Sequence, residues 1–134
     1  MAGEVTTKVI RTITIGTFVI GGNERSLVAD YILNLQKSVP ANSTDIEFVV
    51  NIDVSEVKAI GLIADQNCTI ETNNASSPSN TIALIANNPL LWTSDDPTTL
   101  AFFTVDVNKI FVTTGANATV VKLAVAIDST PVLA

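Results

Sequence analysis

Apolar and polar residues alternate along most of this chain. In residues 5–15, Val5, Val9, Ile13 and Ile15 fall on one face, with Thr6, Lys8, Thr12 and Thr14 mostly on the other. A period of two predicts a half-buried strand. Arg11 interrupts the apolar face, which marks this strand as an edge or an arm. Thr17 to Ile20 is a second short strand, closed by the turn signal Gly21-Gly22-Asn23. Residues 28–37 fit two templates. Val28, Tyr31, Ile32 and Leu35 have helical spacing behind a Ser26 N-cap, whereas Tyr31, Leu33 and Leu35 form a strand face opposite Asp30, Asn34 and Gln36. The β character of the flanking segments favours the strand.

The pattern then becomes regular. Ile46, Phe48, Val50 and Ile52 alternate with Asp45, Glu47 and Asn51, and a short turn spans Asp53 to Glu56. Residues 57–64 (VKAIGLIA) are apolar on both faces after Lys58, as in a central strand. Cys68, Ile70 and Thr72 alternate with Thr69, Glu71 and Asn73, and NNASSPSN (73–80) is a loop. TIALIA (81–86) is a strand turned by Asn87-Asn88-Pro89, Leu90-Leu91-Trp92 a short apolar segment, and TSDDP (93–97) a turn. Phe103, Val105 and Val107 alternate with Thr104, Asp106 and Asn108; Ile110–Thr113 is another strand, and Gly115-Ala116-Asn117 turns into a last one with Val121, Leu123, Val125 and Ile127 inward. Residues 128–134 read as a tail. About nine or ten short strands at this spacing predict an all-β fold, an antiparallel sandwich or barrel. The 134 residues fit one such domain.

Composition narrows the function. Nearly half the residues (47%) are apolar and 15% are charged, below the ~25% usual for soluble domains. Such a chain suits a crowded assembly or a well-packed monomer with a Thr, Ser and Asn surface. Seven Lys and Arg stand against thirteen Asp and Glu. The cations are scattered singly rather than clustered as phosphate neutralisation requires, so neither nucleic acid nor an anionic membrane is an expected partner. No apolar run approaches the ~18 residues of a membrane span, and no signal-peptide pattern precedes the first strand.

The candidate chemistry is sparse. The chain has no histidine and one cysteine. Serine nucleophiles therefore lack their usual base, and no internal disulfide can form. Cys68, inside an alternating strand, reads as a small core residue. Asp95-Asp96, Asp106, Asp65 and Glu71 show no paired spacing; Asp95-Asp96 reads as a solvated turn, and no D-x-D-x-D-G calcium loop is present. No catalytic residue, cofactor or metal site is expected, and the chain is not read as an enzyme. Four N-x-S/T sequons, at Asn42, Asn67, Asn74 and Asn117, are chance matches in a chain rich in these residues. Trp92 and Phe102 are expected to pack in a core or subunit interface. An exposed Trp92 would instead suit a carbohydrate-binding or tail-fibre, receptor-binding sandwich. Phe102 and Phe103, if in one strand, face opposite ways, which sends one of them toward a contact surface.

The ordered series VKAIGLIAD, CTIETNN, TIALIANNPLLW, FFTVDVNKIFVT and ATVVKLAVAID, from Val57 to Ile127, resembles small capsid decoration (cement) proteins of tailed bacteriophages. The resemblance covers about half the chain and does not reach the first 55 residues. It implies a jelly-roll-like sandwich on the outer surface of the virion, stabilising the shell by binding the major capsid protein and self-associating, often as a homotrimer. Residues 1–15, which start without a turn or cap, are then expected to pair with a neighbouring subunit or the capsid. The contact residues expected from this reading are Val5, Val9, Ile13, Leu91, Trp92 and Phe102.

Overall fold

The alternating segments become strands. The computed structural model describes residues 5–29, 31–94, 96 and 98–128; the side chains of 5–7, 11–14 and 20–28 lie outside that description. Ten strands run through it: β1 (Val5–Ile15), β2 (Phe18–Ala29), β3 (Tyr31–Val39), β4 (Ile46–Ile52), β5 (Val57–Ala64), β6 (Cys68–Thr72), β7 (Thr81–Leu84), β8 (Leu90–Thr93), β9 (Val107–Thr114) and β10 (Thr119–Ile127). A 3-10 turn at Val54–Glu56 is capped by Asp53, whose carboxylate accepts from the Ser55 N–H at 3.0 Å and its hydroxyl at 2.6 Å.

Eight strands form two antiparallel four-stranded sheets, β3-β10-β5-β8 and β4-β9-β6-β7. Apart from the β6–β7 hairpin, successive strands from β3 to β10 cross between the sheets, which is jelly-roll connectivity. The expected sandwich is therefore present. Its core is assembled from alternate positions on both sheets: Ile60, Leu62, Leu123 and Val125 on one, Ile52, Ile70, Ile110 and Val112 on the other. All eight are at most 2% exposed. Full burial of an aliphatic side chain is worth roughly 1.5–3 kcal/mol, so these rows dominate the folding free energy.

Buried polar groups are satisfied locally. The Thr114 hydroxyl donates to the Pro40 carbonyl at 2.6 Å and accepts from the Ser43 N–H at 3.0 Å. That of Thr72 accepts from the Asn80 N–H at 2.9 Å. Among the described residues, no buried side-chain donor or acceptor lacks a partner, as a stable interior requires. Asn42, Asp45, Asn73 and Asn87 sit at positive φ, so the turns use the short polar side chains that tolerate the left-handed region best.

Three expectations are corrected. The first concerns Gly21-Gly22-Asn23, which does not turn the chain. The strand β2 runs through it, and the reversal occurs earlier, at Gly16-Thr17. The second is the segment from Phe103 to Val107, which stays irregular until β9 begins at Val107. Asn80 accepts from the Thr104 N–H at 3.0 Å, and the Asn73 side chain donates to the Asp106 carbonyl at 2.8 Å. Side-chain amides thus take backbone groups that a ladder would use. The third is the divergence of Phe102 and Phe103: outside a strand they are free of pleat alternation. Phe103 is 1% exposed in the core, and Phe102 packs against the same core. Their rings meet edge to face at 5.3 Å.

In residues 28–37 the strand alternative holds, with Ala29 ending β2 and Tyr31 starting β3. Asp95, Pro97 and 129–134 lie outside the described residues.

Candidate interaction surface

The pair β1–β2 is a two-stranded sheet separate from the sandwich. Its loop is Gly16-Thr17 between Ile15 and Phe18, with Gly16 at φ +61°. A glycine at the first central position is the requirement of a type II′ hairpin turn. The register shifts between Ile13 and Thr14, whose partners are Gly21 and Val19, so Ile20 is an extra, bulged residue. Glycine beside a bulge is a common use of that residue in a strand. This gives Gly21 a role that the turn reading of the sequence assigned otherwise.

The hairpin meets the sandwich near its base. Val9 (8% exposed) and Ala29 (1%) form a small cluster with Ala59 of β5 and Ala126 of β10, and Ile32 of β3 packs against it. These three positions lie on the outer face of the β3-β10-β5-β8 sheet, opposite the core-facing rows. Toward the hairpin end, exposure rises: Ile10 67%, Ile15 66%, Phe18 71% and Val19 61%. Such a cluster of large apolar side chains on a hairpin end is a mark of an interaction surface. A hairpin alone is marginally stable in water, so one that carries these residues gains by covering them.

The outer face beside the base remains open. Across the sheet, one row runs Ile32–Ala126–Ala59, and the next runs Asn34–Ala124–Gly61–Leu91. The first is covered by Val9. The second floors a groove of about 610 Å³ walled by Ile63, Pro89, Leu91 and Lys122. A neighbouring opening of about 360 Å³ shares Gly61, Leu91 and Ala124 and is bordered by Val9 and Ile10 of the hairpin.

The six expected contact residues fall in different places. Leu91 is 39% exposed on the groove wall. Val9 is spent within its own chain. Trp92 and Phe102 pack against the core, and the Trp92 indole N–H is bound to the Thr98 carbonyl. Val5 and Ile13 are placed by backbone register alone, opposite Ala29 and Gly21, and their side chains lie outside the described residues. Within the chain β1 pairs with β2 along one edge, and among the described residues its other edge carries no strand of the sheet. The hairpin tip was missed because the Gly-Gly-Asn signal drew the turn away from Gly16-Thr17. The Gly-X pair between apolar residues is the signal that finds it.

Three of the carboxylates singled out in the sequence serve the backbone. Asp65 accepts from the Val120 N–H at 2.8 Å, Asp106 from the Val54 N–H at 3.0 Å and Asp96 from the Thr93 N–H at 3.0 Å. Glu71 hydrogen-bonds with Asp45, and this contact is the main cause of a Glu71 pKa raised above its ordinary value. Burial pushes the Cys68 thiol up, with the charge of Asp65 adding to it, which disfavours the thiolate. Among the described residues no group of three or more His, Cys, Asp or Glu is placed to hold a metal ion. Among the described residues no helix is long and apolar enough to cross a membrane.

No protein-family model matches the chain, and no curated protein matches it. Among solved structures it is similar to a chain from the work described as "Bacillus endospore appendages form a novel family of disulfide-linked pili", with a TM-score of 0.42 and 12% identity over 96% of this chain and 95% of that one.

Proposed function

We propose that this chain is a structural assembly subunit, in which the jelly-roll body serves as a scaffold and the β1–β2 hairpin makes contacts to other subunits. The observation that carries this reading is the hairpin end, where Ile15, Phe18 and Val19 are each more than 60% exposed on a ribbon anchored near its base. The placement of the carboxylates supports it, since Asp65, Asp96 and Asp106 are engaged in holding loops and strand ends. The resemblance of residues 57–127 to capsid decoration proteins supports a more specific form. In that form the chain binds the major capsid protein on the outside of a phage head and self-associates, as a trimer. A carbohydrate-binding role gains nothing from Trp92, whose ring packs on the core.

Light scattering on the full chain tests the general reading. An oligomer is expected, and a mass of one chain, 14.1 kDa, at every concentration overturns it. Electron microscopy of purified particles tests the specific form, which fails if the chain is absent from them.

A further inference from the structure

We infer that the hairpin tip of one copy seats in the groove over Gly61 and Ala124 of a second copy, joining subunits head to tail. The inference rests on the assembly reading above and adds the identity of both contact surfaces.

The argument begins with what this sheet face already does. Near its base the hairpin lays Val9 over Ala59 and Ala126. Small residues at those two positions let a β-ribbon approach the sheet closely. The adjacent row repeats the arrangement, with Gly61 in register with Ala124 as Ala59 is with Ala126. One small-residue row is filled by the chain's own hairpin and the next, continuous with it, is open. The same molecule carries an apolar ribbon end with nothing over it: Phe18 is 71% exposed and Ile15 66%. None of residues 15–19 lines the groove, so the chain's own tip does not fill it. Val9 and Ala29 are buried, which pins the base in place and leaves the tip to reach outward.

Ile15 and Phe18, cross-strand partners on one face of the ribbon, against Gly61, Ile63, Leu91 and Ala124 make an apolar contact between two different surfaces of identical chains. A contact of that kind is heterologous, so it builds closed rings or open filaments rather than a two-fold dimer. A trimeric ring is one closed solution.

The test uses one variant on each surface. Phe18→Asp places a charge on the exposed tip. Ala124→Arg fills the groove from an exposed position of β10. The wild-type chain is expected to associate, and each variant alone to run at the mass of one chain. An equimolar mixture of the two retains one intact tip and one intact groove, so it is expected to give a species of twice that mass and no larger. Unchanged association of either variant, or a mixture that stays at the mass of one chain, overturns the inference. In both cases the assembly reading survives if the wild type associates, whereas a monomeric wild type sinks both. Should Ala124→Arg fail to fold, Gly61→Val replaces it. A Cβ at Gly61 meets Leu91 Cδ1 at 3.8 Å and the Leu90 carbonyl at 4.0 Å, which is ordinary contact.

Discussion

The indole N–H of Trp92 donates to the main-chain carbonyl of Thr98 at 2.8 Å. The bond closes the segment after β8 on itself, while Leu100, Phe102 and Phe103 from the same segment pack against the core. The ring thus has an apolar body on the core and a polar tip on a loop, the division of labour common to tryptophan. Trp92→Phe keeps the body and loses the bond, which is expected to cost about 1 kcal/mol. Trp92→Ala opens the core edge and is expected to cost roughly 3 kcal/mol. Denaturant unfolding of the two variants separates these contributions, and similar midpoints for both would contradict the division.

Asn73 holds the segment before β9. Its side-chain oxygen accepts from the Asn108 N–H at 2.8 Å, and its amide donates to Ser79 Oγ at 3.0 Å and the Asp106 carbonyl at 2.8 Å. It does this from φ 69°, in the left-handed region. Asn73→Ala loses these bonds and adds backbone strain, for an expected loss of about 2–3 kcal/mol. Asn73→Gly loses the bonds without the strain, so it is expected to be the milder change by about 1 kcal/mol. Thermal melts of the pair read the difference directly.

Glu71 and Asp45 form a carboxyl pair in which the Glu71 pKa is raised above 4.5, first by the hydrogen bond to Asp45, then by desolvation and its charge. Because the folded value exceeds the unfolded one, the contribution of Glu71 to stability is present below about pH 4.5 and is lost as pH rises through the folded pKa. Glu71→Gln keeps a donor to Asp45 without the second charge. Its melting temperature is expected to exceed that of the parent at neutral pH and to match it in acid. Equal melting temperatures at both pH values would remove the repulsion from the account.

Gly16 is expected to control the hairpin and little else. It sits at φ +61° with nothing within 4 Å of an added Cβ, so the barrier to substitution is conformational rather than steric. Gly16→Val forces a β-branched residue into that region at a cost of roughly 1–3 kcal/mol. Amide exchange is expected to accelerate across residues 5–29 and to stay unchanged in β5, β9 and β10. Self-association is expected to weaken together with the hairpin.

The strands most legible in the sequence were those with one face on the core. Residues 68–72 and 121–125, and 46–52 from Phe48 onward, show clean alternation because their inward positions pack into the core between the sheets. Where side chains capture the backbone, alternation misleads. Val105 falls between Phe103 and Val107 in a strand-like pattern, yet it is 45% exposed in an irregular segment held by Asn73 and Asn80. The hairpin was half legible: its strands follow from the pattern, but two glycine signals compete for the turn, and the bulge absorbs the stronger one. Sheet order was not legible, because pairs such as Leu123 with Leu35 and Leu62 depend on contacts far apart along the chain. The groove shares that origin. Gly61 and Ala124 read as unremarkable strand residues until β5 and β10 lie side by side.

The sheet order also sets when the molecule can fold. β10 separates β3 from β5 in one sheet, and β9 separates β4 from β6 in the other. Both of these separating strands, β9 and β10, come from residues 107–127. During synthesis, six strands of the sandwich therefore emerge from the ribosome before β9 or β10 exists to join them. Until then β3 and β4 have no sheet neighbours. Closure must wait until β9 and β10 have been made, and its non-local pairings place this chain among slow folders. The β1–β2 hairpin, made of neighbours in sequence, needs no such wait. The arm of this protein can form while its body is still an open chain.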